Sequence, residues 1–431
     1  MKRWILLLGT LCLTASSACS RPGAAPVEPV PKAAVPEEGL KARLEPMALN
    51  TEVQKLLPPH FPIRVDWSLP IEGVSIAKVW VPQDPPDHDA LFVLSDRHDL
   101  IAIRREDGRA LWWIRLDDKP ECVPACTPFS VYVVANAHLM NIERSTGKVL
   151  WRIRLEFPVN GTLLVDEMKQ GEPHFIIPAA NGLLHAFFLE SYSWPPAHSL
   201  AKIEEKGVAF QQYRLVTDWD FPCQGVIQGP VAYREGFVVV GDGTGMVYGL
   251  NAARVTRGQP EVVWHEKTRE ANVAGVVATQ HLAMVASQDR NVYAYGLKQG
   301  GVAWRNNSGN LFEKTPVLVT DPATERDLLV VQAKKGPLLV LNGENGATLW
   351  QMEGDGTIAN LDTAPEKKEE ERTTLAVFRA DGSIEGRAAW SGATLWTIPS
   401  GVFSQAAENA VDRRFYTVRG SNVLCALSRE K

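Results

Sequence analysis

The chain has 431 residues, of which 45% are hydrophobic and 22% are charged. This composition is ordinary for a globular protein, and the length suits either one large closed β architecture or two to three average domains. The formal net charge of -5 and the pI near 6.0 argue against nucleic-acid binding, which usually needs a basic domain or stripe.

The first 18 residues have the pattern of an export signal. Lys2 and Arg3 precede an apolar run over residues 4–13, and small residues continue to Ala18. The apolar run is too short for a permanent membrane-spanning helix. Residues 16–19 also resemble a bacterial lipobox, with serine where leucine is usual, which predicts Cys19 as a lipidated first residue. The alternative is ordinary cleavage and a soluble periplasmic or secreted protein.

Residues 19–60 are rich in proline, alanine and glutamate. Such a segment buries too little apolar surface to fold alone, so we interpret it as an extended tether. A short helix is expected over residues 51–57. If Cys19 carries lipid, this tether holds the globular part away from the membrane.

From residue 61 to residue 431 one pattern recurs: a strand, a polar turn, a strand, a glycine-containing turn, and a strand with tryptophan. Glycine precedes tryptophan by four positions in Gly108–Trp112, Gly147–Trp151, Gly300–Trp304, Gly346–Trp350 and Gly392–Trp396. Four strands in about 40 to 45 residues are typical of a propeller blade. The sequence therefore predicts an all-β, eight-bladed β-propeller.

Two incomplete ends account for the eighth blade. A lone strand with Trp67 begins the repeats, and residues 413–428 form a last fragment without a tryptophan strand. Pairing these two pieces closes the ring and removes exposed sheet edges. In blade three the tryptophan strand contains either Trp194 or Trp219, and Trp219 leaves an insertion over residues 189–212.

The repeated tryptophans are interpreted as structural docking residues. A large flat ring with one donor suits a position between adjacent blades, where its indole N–H reaches a carbonyl. A ring of tryptophans forming a ligand site is disfavoured, because the outermost strand lies far from the central channel. The docking set is Trp67, Trp112, Trp151, Trp219, Trp264, Trp304, Trp350 and Trp396.

The motif ending at Trp151 resembles the tryptophan-docking repeat of the quinoprotein propellers, roughly A-x-D-x-x-T-G-x-x-x-W. That superfamily includes enzymes dependent on pyrroloquinoline quinone and non-catalytic relatives such as the BamB-type lipoproteins of outer-membrane β-barrel assembly. The resemblance implies, for an enzyme, calcium ligands and a pair of adjacent cysteines over the quinone. No two cysteines are adjacent in this chain. We therefore predict no catalytic residue, no cofactor and no metal site.

Aspartates in the blade turns have a structural interpretation. Asp242, Asp289 and Asp381 lie between strands, where a carboxylate caps the local backbone. Cys122 and Cys126 enclose a Val-Pro-Ala loop and are expected to form a disulfide in an oxidising compartment. Free thiols are the alternative, and a metal site would need two further ligands.

The resemblance implies an exported, lipid-anchored scaffold that binds proteins, with β-barrel assembly components as the expected partners. It would act as a monomer within a complex at the periplasmic face of the outer membrane, without nucleic acid. The alternatives are a quinone-dependent dehydrogenase, or a degenerate relative of one, and a ligand-sensing propeller. Within the insertion and the strand before it, the residues expected to contact a partner are Trp194, Phe188 and Tyr192.

Overall fold

The structure is a computed structural model that describes residues 50–58, 61–82, 89–166, 173–194, 210–321, 324–354, 356–363, 373–407 and 414–429. Within these ranges 32 strands form eight four-stranded sheets. These sheets are the blades of a propeller, which confirms the predicted fold class. The export signal, Cys19 and most of the tether lie outside the described residues.

The first four blades follow one another along the chain. Blade one has β2 (Ile76–Trp80), β3 (Ala90–Ser95), β4 (Asp99–Arg104) and β5 (Ala110–Arg115). Blade two has β6 (Ala125–Cys126), β7 (Ser130–Ala135), β8 (His138–Glu143) and β9 (Val149–Arg154). Blade three has β10 (Leu164–Asp166), β11 (His174–Pro178), β12 (Leu183–Trp194) and β13 (Phe210–Pro222). Blade four has β14 (Ala232–Arg234), β15 (Phe237–Gly241), β16 (Met246–Thr256) and β17 (Gln259–Lys267).

The last four blades continue the order, and the eighth takes one strand from the N-terminal end. Blade five has β18 (Val276–Ala278), β19 (Leu282–Ala286), β20 (Asn291–Gly296) and β21 (Gly300–Asn307). Blade six has β22 (Val317–Thr320), β23 (Asp327–Gln332), β24 (Leu338–Asn342) and β25 (Thr348–Met352). Blade seven has β26 (Gly356–Thr363), β27 (Thr373–Arg379), β28 (Ile384–Ala388) and β29 (Thr394–Ile398). Blade eight has β30 (Gln405–Ala406), β31 (Arg414–Arg419), β32 (Val423–Arg429) and β1 (Ile63–Pro70).

Blade eight closes the ring as the sequence predicts. Strand β1 pairs antiparallel with β32, with Ile63 opposite Arg429 and Pro70 opposite Val423. Asp66 reinforces this seam by accepting hydrogen bonds from the side chains of Arg414 at 2.7 Å and Ser428 at 2.8 Å. The first and last strands of the propeller are therefore joined by backbone pairing and by side chains.

The antiparallel order within each blade creates two different faces of the ring. We call the connection face the one that carries the blade-to-blade connections and the turns between second and third strands. We call the turn face the one that carries the turns between first and second and between third and fourth strands. Because β1 is an outermost strand, it enters at the turn face and ends at the connection face.

The hydrophobic core lies between adjacent blades. The second strand of a blade has a neighbouring blade on each side, so β3 is buried at all of its positions. Such a strand has a continuous apolar sequence instead of an alternating one. One cluster, for example, joins Phe92 and Trp112 of blade one to Val131 and Val133 of blade two.

A short helix, α1 (Asn50–Gln54), packs against the seam. It confirms the predicted helix but ends earlier, at Gln54. Val53 is fully buried, in a cluster with Trp396 and Phe415. The Gln54 side chain accepts a hydrogen bond from the Val65 N–H at 2.7 Å and donates one to the Ile63 carbonyl at 3.4 Å. The helix thus covers part of the open edge of β1.

No helix in the described part of the chain is long and apolar enough to cross a membrane.

Candidate functional site

Five of the predicted docking tryptophans bond to the next blade. Each lies on the outermost strand of its blade, and its indole N–H donates to a backbone carbonyl there. The pairs are Trp67 with Arg105 (2.9 Å), Trp112 with Arg144 (2.6 Å), Trp264 with Leu297 (2.9 Å), Trp304 with Gly343 (3.0 Å) and Trp350 with Ala389 (2.7 Å). These tryptophans stabilise blade boundaries and do not face a common ligand site.

The glycine turns receive the tryptophan of the preceding blade. Gly147 has φ +74°, and a Cβ at this position would lie 2.7 Å from the ring of Trp112. Gly108 has the same relation to Trp67, at 2.6 Å. The glycine is therefore required both by the left-handed backbone and by the indole against it. The offset of four joins residues that serve two different blade boundaries.

A β-bulge precedes every docking tryptophan. In blade two, Trp151 pairs with Asn141 and Val149 pairs with Ile142, so Leu150 is the extra residue. The same irregularity occurs in all eight blades. A bulge bends the strand and increases its twist. The eight extra residues are Asp66, Leu111, Leu150, Asp218, Val263, Ala303, Leu349 and Leu395.

Two of the remaining tryptophans do not form the expected hydrogen bond to the next blade. Trp219 and Trp396 are buried, yet their indole N–H groups have no hydrogen-bond partner among the described residues. Blade four replaces the glycine turn with the long β16–β17 hairpin, and blade eight has no third-to-fourth turn because β32 and β1 come from opposite chain ends. Trp396 instead contacts Phe61, with ring centroids 6.0 Å apart, and Phe415, at 5.6 Å.

Blade three has Trp219, not Trp194, at its docking position. Trp219 lies on the outermost strand β13 and is fully buried, whereas Trp194 is the last residue of β12. Residues 189–194 and 210–212 of the predicted insertion extend β12 and β13 into a longer hairpin, with Trp194 opposite Phe210. Tyr213 of this hairpin contacts Trp151, with centroids 6.1 Å apart, where other blades place a glycine turn.

The three residues predicted to contact a partner all lie on β12. The half-buried ring of Phe188 packs against His174 within blade three, with centroids 4.6 Å apart. Tyr192 and Trp194 lie on the extended part of β12. The side chains of residues 191–194 and residues 195–209 lie outside the described part of the structure.

The turn aspartates cap their own turns, as predicted. Asp242 is fully buried and accepts hydrogen bonds from the backbone of Gly225, Thr244 and Met246. Asp289 accepts from the Asn291 N–H at 3.0 Å, and Asp381 from the Ser383 N–H at 2.9 Å. Around Asp381, the hydroxyl and backbone N–H of Ser383 hold the pKa of the carboxyl below its usual value.

The predicted disulfide between Cys122 and Cys126 is not formed in the structure, where both are free thiols. Cys122 packs in the cluster between blades two and three, while Cys126 packs against the cluster between blades one and two. Their side chains therefore lie on opposite sides of the blade. Burial raises the pKa of Cys122 to about 11 and that of Cys126 to about 12.

Two histidines of blade three, buried His174 and half-buried His185, form pairs with aspartates. His185 lies 2.6 Å from Asp220 across β12 and β13, and His174 lies 3.3 Å from Asp218. Phe157 stacks on His185 with centroids 4.2 Å apart. Within the described ranges no three His, Cys, Asp or Glu side chains are grouped to hold a metal ion.

A cleft of about 610 Å³ opens on the connection face between blades seven and eight. Its walls come from the end of β27, the β27–β28 turn, the β29–β30 connection and the β31–β32 turn. The lining residues are Gly356, Phe378, Arg379, Ala380, Asp381, Gly382, Gly401, Val402, Phe403, Ser404 and Gly420. No pattern in the sequence predicts this cleft.

Charges around the cleft are balanced. Arg379 donates to Glu385 at 2.6 Å and to the Glu353 carbonyl at 3.2 Å, and Arg387 pairs with the same Glu385 at 2.6 Å. Burial raises the pKa of Glu385, but the hydrogen bonds from both arginines outweigh that effect, so the pKa lies below its usual value. With the exposed Asp381, the cleft offers neither a free cationic pocket nor a strongly acidic one.

The ring of eight blades and the tryptophans that dock on the next blade define an eight-bladed propeller of the quinoprotein-like class. Within this class, the chain matches the family model described as outer membrane protein assembly factor BamB over residues 75–154 and 252–431. The match covers more than half of the chain, so the chain belongs to this family. No curated protein matches it by sequence.

Solved structures share the fold at low sequence identity. BamB from Moraxella catarrhalis is 14% identical with a TM-score of 0.53, over 82% of this chain and 97% of that chain. A quinohemoprotein alcohol dehydrogenase from Pseudomonas putida HK5 is 12% identical with a TM-score of 0.56, over 90% of this chain and 78% of that chain. The SCAP WD40 domain from fission yeast is 11% identical with a TM-score of 0.53, over 86% and 98%. The fold therefore does not by itself decide between catalysis and binding.

Proposed function

We propose that this protein is an exported, lipid-anchored, non-catalytic scaffold that binds other proteins during outer-membrane protein assembly. The observation that carries the proposal is the family match over residues 75–154 and 252–431. The lipobox-like residues 16–19 and the tether after them support the membrane anchor. Ser20, next to Cys19, is compatible with sorting to the outer membrane.

The two faces of the propeller carry different features. The tether leads into β1 at the turn face, and the cleft between blades seven and eight opens on the connection face. An anchored propeller would then present the connection face toward the periplasm. In this arrangement the cleft lies on the face opposite the anchor, whereas the extended hairpin of blade three joins third and fourth strands and therefore lies on the turn face with the anchor.

Lipidation is tested with the full chain expressed in a Gram-negative host. Cells grown with radiolabelled palmitate are expected to incorporate label into the wild-type protein and not into Cys19→Ser. Cys12→Ser is the matched control, since it lies within the export signal. Equal labelling of Cys19→Ser, or no labelling of the wild type, would contradict the anchor and leave the scaffold role to be tested separately.

The assembly role is tested by deleting the gene in its host. Loss of the protein is expected to lower the amount of folded β-barrel proteins in the outer membrane, and a pull-down of the wild type is expected to recover β-barrel assembly components. If neither occurs, the assembly role is wrong. As a control, the gene is restored in trans, and the amount of folded β-barrel proteins in the outer membrane is expected to return to the wild-type level.

The extended hairpin of blade three is the proposed partner contact. Tyr192→Ala with Trp194→Ala is expected to reduce recovery of the assembly components without unfolding the propeller. Glu190→Ala is the matched control, because its exposed carboxylate lies on the same strand and pairs with exposed Arg214. Unchanged recovery with the double variant would move the contact elsewhere on the ring.

The assignment as a non-catalytic protein rests on which quinone and calcium ligands the chain provides. The sequence has no adjacent cysteines, and the turn aspartates Asp242, Asp289 and Asp381 are engaged by their own turns. Calcium needs six to eight converging oxygen ligands. Pyrroloquinoline quinone with calcium is expected to give no dye-linked alcohol or sugar oxidation and no calorimetric binding. Turnover in this assay would replace the scaffold with the dehydrogenase alternative.

A further inference from the structure

Five exposed cations lie on the connection face of blades five and six, and we call this set the basic corner. They occupy the turn between the second and third strands of each blade and the connection that enters it. The set is Arg269, Arg290, Lys314, Lys334 and Lys335. The Arg269 N–H donates to Asp289 at 3.1 Å, and the Ser308 hydroxyl to the Arg290 carbonyl at 3.4 Å. The Lys334 N–H donates to the Leu311 carbonyl at 2.7 Å, so the segments form one continuous surface.

Arg290 occupies a position at which other blades have glycine. Counted from the hydrogen bond that closes the turn, it is equivalent to Gly245 of blade four and Gly382 of blade seven. All three have positive φ, +72° for Arg290, +89° for Gly245 and +81° for Gly382. A side chain in this conformation is strained. The exposed Arg290 side chain has no hydrogen bond or ion pair within the described part of the chain to offset that strain, which points to a role in binding.

The turn of blade six places two lysines beside an exposed leucine. Lys334 takes the position that Gly243 has in blade four, and Lys335 follows it with φ +51°. In both blades the turn donates an N–H to the carbonyl of an exposed aliphatic residue, Leu311 in blade six and Val226 in blade four, each 41% exposed. Blade four therefore forms this turn without cations. The lysines of blade six add positive charge next to an apolar side chain.

Few carboxylates offset the basic corner. The two turns and two connections that carry its five cations contain three carboxylates, Glu270, Asp289 and Glu313. Glu313 pairs with Lys334 at 2.5 Å, and Asp289 accepts a hydrogen bond from the Tyr293 hydroxyl at 2.7 Å. Arg290 and Lys335 form no ion pair with any residue that the structure describes. The corner is thus positive in a chain whose formal net charge is -5.

The place of the basic corner on the ring favours a protein partner over a membrane. The tether enters the propeller at the turn face. The basic corner lies on the opposite face, turned away from the membrane that would hold the proposed anchor. Unpaired cations beside Leu311 are complementary to carboxylates that flank an apolar side chain.

We infer that the basic corner binds an acidic segment of a partner protein, with carboxylates on Arg290 and Lys335 and a large apolar side chain on Leu311. The inference rests on the proposed function as a protein-binding scaffold. It names a second contact, on the face opposite the extended hairpin of blade three.

Binding is measured by fluorescence anisotropy with the mature chain, residues 19–431, and a rhodamine-labelled peptide of four Glu-Asp-Leu repeats. Saturable binding is expected at low salt, and about 300 mM salt should weaken it several-fold, because salt screens exposed charges. The matched peptide has four Gln-Asn-Leu repeats and keeps the size and the leucines. It is expected to bind about tenfold more weakly, since several exposed ion pairs are lost together.

A pair of double variants locates the site. Arg290→Gly with Lys335→Asn removes two cations and introduces residues that tolerate positive φ. This variant is expected to keep or raise the melting temperature and to bind the acidic peptide about fivefold more weakly. The matched control is Arg257→Gly with Lys148→Asn, which removes two exposed cations from the turn face, one of them also at positive φ. The control should bind like the wild type.

Four results would overturn the inference: no saturable binding to the wild type, equal binding of the uncharged peptide, equal binding by Arg290→Gly with Lys335→Asn, or an equal loss in the turn-face control. The last would mean that net charge alone attracts the peptide. A lipid partner is tested with vesicles of phosphatidylglycerol and phosphatidylcholine. Flotation that the wild type shows and the basic-corner variant loses, without peptide binding, would assign the corner to anionic lipid and overturn the inference as well.

The proposed function fails differently. If the wild type recovers assembly components in a pull-down but does not bind the acidic peptide, the scaffold stands and the basic corner does not. If the wild type recovers no assembly component but binds the peptide through the basic corner, the acidic-segment site stands and the assembly role does not.

Discussion

The glycines of the docking turns are fixed by two constraints that the structure allows to be separated. Gly300 and Gly301 are adjacent and have nearly the same φ, +70° and +72°. A Cβ on Gly300 would lie 2.7 Å from Trp264, whereas a Cβ on Gly301 would have nothing within 4 Å. Both positions carry the cost of a left-handed residue, and only the first carries the cost of displacing an indole.

We therefore expect Gly300→Ala to destabilise the protein by about 1–3 kcal/mol more than Gly301→Ala, the range for forcing atoms into a packed site. The measurement is the shift of the unfolding midpoint in urea, with the same slope for both variants. Equal shifts would mean that backbone strain alone selects glycine in these turns and that Trp264 yields without cost.

Thiol chemistry tests the correction at Cys122 and Cys126. Burial raises the pKa of Cys122 to about 11 and that of Cys126, Cys223 and Cys425 to about 12. A raised thiol pKa leaves little thiolate at pH 8, and only the thiolate is alkylated. Iodoacetamide should therefore label all four thiols slowly in the folded protein and quickly in guanidinium, as seen by intact mass. A mass two daltons low without reductant would show that the disulfide forms after all.

For single residues, the sequence predicts the docking tryptophans and glycines, because the fixed offset of four positions from glycine to tryptophan is visible as a local pattern. It does not show the bulge before each tryptophan, since residues as different as Asp66 and Leu150 occupy it. The lack of a hydrogen-bond partner for the indole N–H groups of Trp219 and Trp396 among the described residues also escapes prediction, because the residues that would receive them belong to the next blade. A local pattern contains no information about that neighbour.

Among the elements, helix α1 substitutes for a missing part of the repeat. In every blade but the eighth the third strand continues along the chain into the fourth, and the described residues show the turn between them in all of these blades except the third. At the seam that turn is absent, and α1, together with Phe61, covers Trp396 and the edge of β1. The helix is thus a structural part of the propeller and not only the end of the tether.

Gln54→Ala removes both side-chain hydrogen bonds from α1 to β1 and is expected to destabilise the protein by about 1–2 kcal/mol. The measurement is thermal unfolding followed by tryptophan fluorescence, because Trp396 lies beneath the helix. Lys55→Ala is the control on an exposed position of the same segment. If both variants have the melting temperature of the wild type, the helix does not stabilise the seam.

Strand positions follow from the sequence more readily than the extended hairpin does. Residues 189–194 pair with residues 210–215, and Trp194 lies 16 positions before its partner Phe210. A short hairpin is marked by its turn residues, but a pairing over this separation has no such local signal. The cleft is hidden for a related reason, since Gly356, Phe403 and Gly420 meet only after blades seven and eight have packed.

The whole ring is built from head-to-tail contacts, in which each blade gives a tryptophan to the next. Contacts of this kind form closed rings only if the rotation per unit completes the circle. Here, closure depends on β1, which supplies the outermost strand of blade eight and sends Trp67 to blade one. Losing this strand would break two blade boundaries and expose the edge of β32.

A circular permutant tests that dependence. Starting the chain at Gly73, in an exposed connection, and appending residues 50–72 after Arg429 through a Gly/Ser linker makes blade eight continuous. We expect this permutant to reach a melting temperature within a few degrees of the wild type. Deletion of residues 63–70 should instead yield aggregated protein on size-exclusion chromatography. A monomeric, folded deletion variant would show that seven complete blades suffice.

The pairing of β1 with β32 also determines when the propeller can complete its folding. Arg64 and Ser428 bond to each other although 364 positions separate them. If the chain crosses a membrane from its N-terminus, β1 emerges first. It then has no partner strand until seven blades have followed and β32 emerges. During that interval its backbone can pair with foreign strands, so under the proposed export the unfinished chain has to be kept apart from other chains until β32 has emerged.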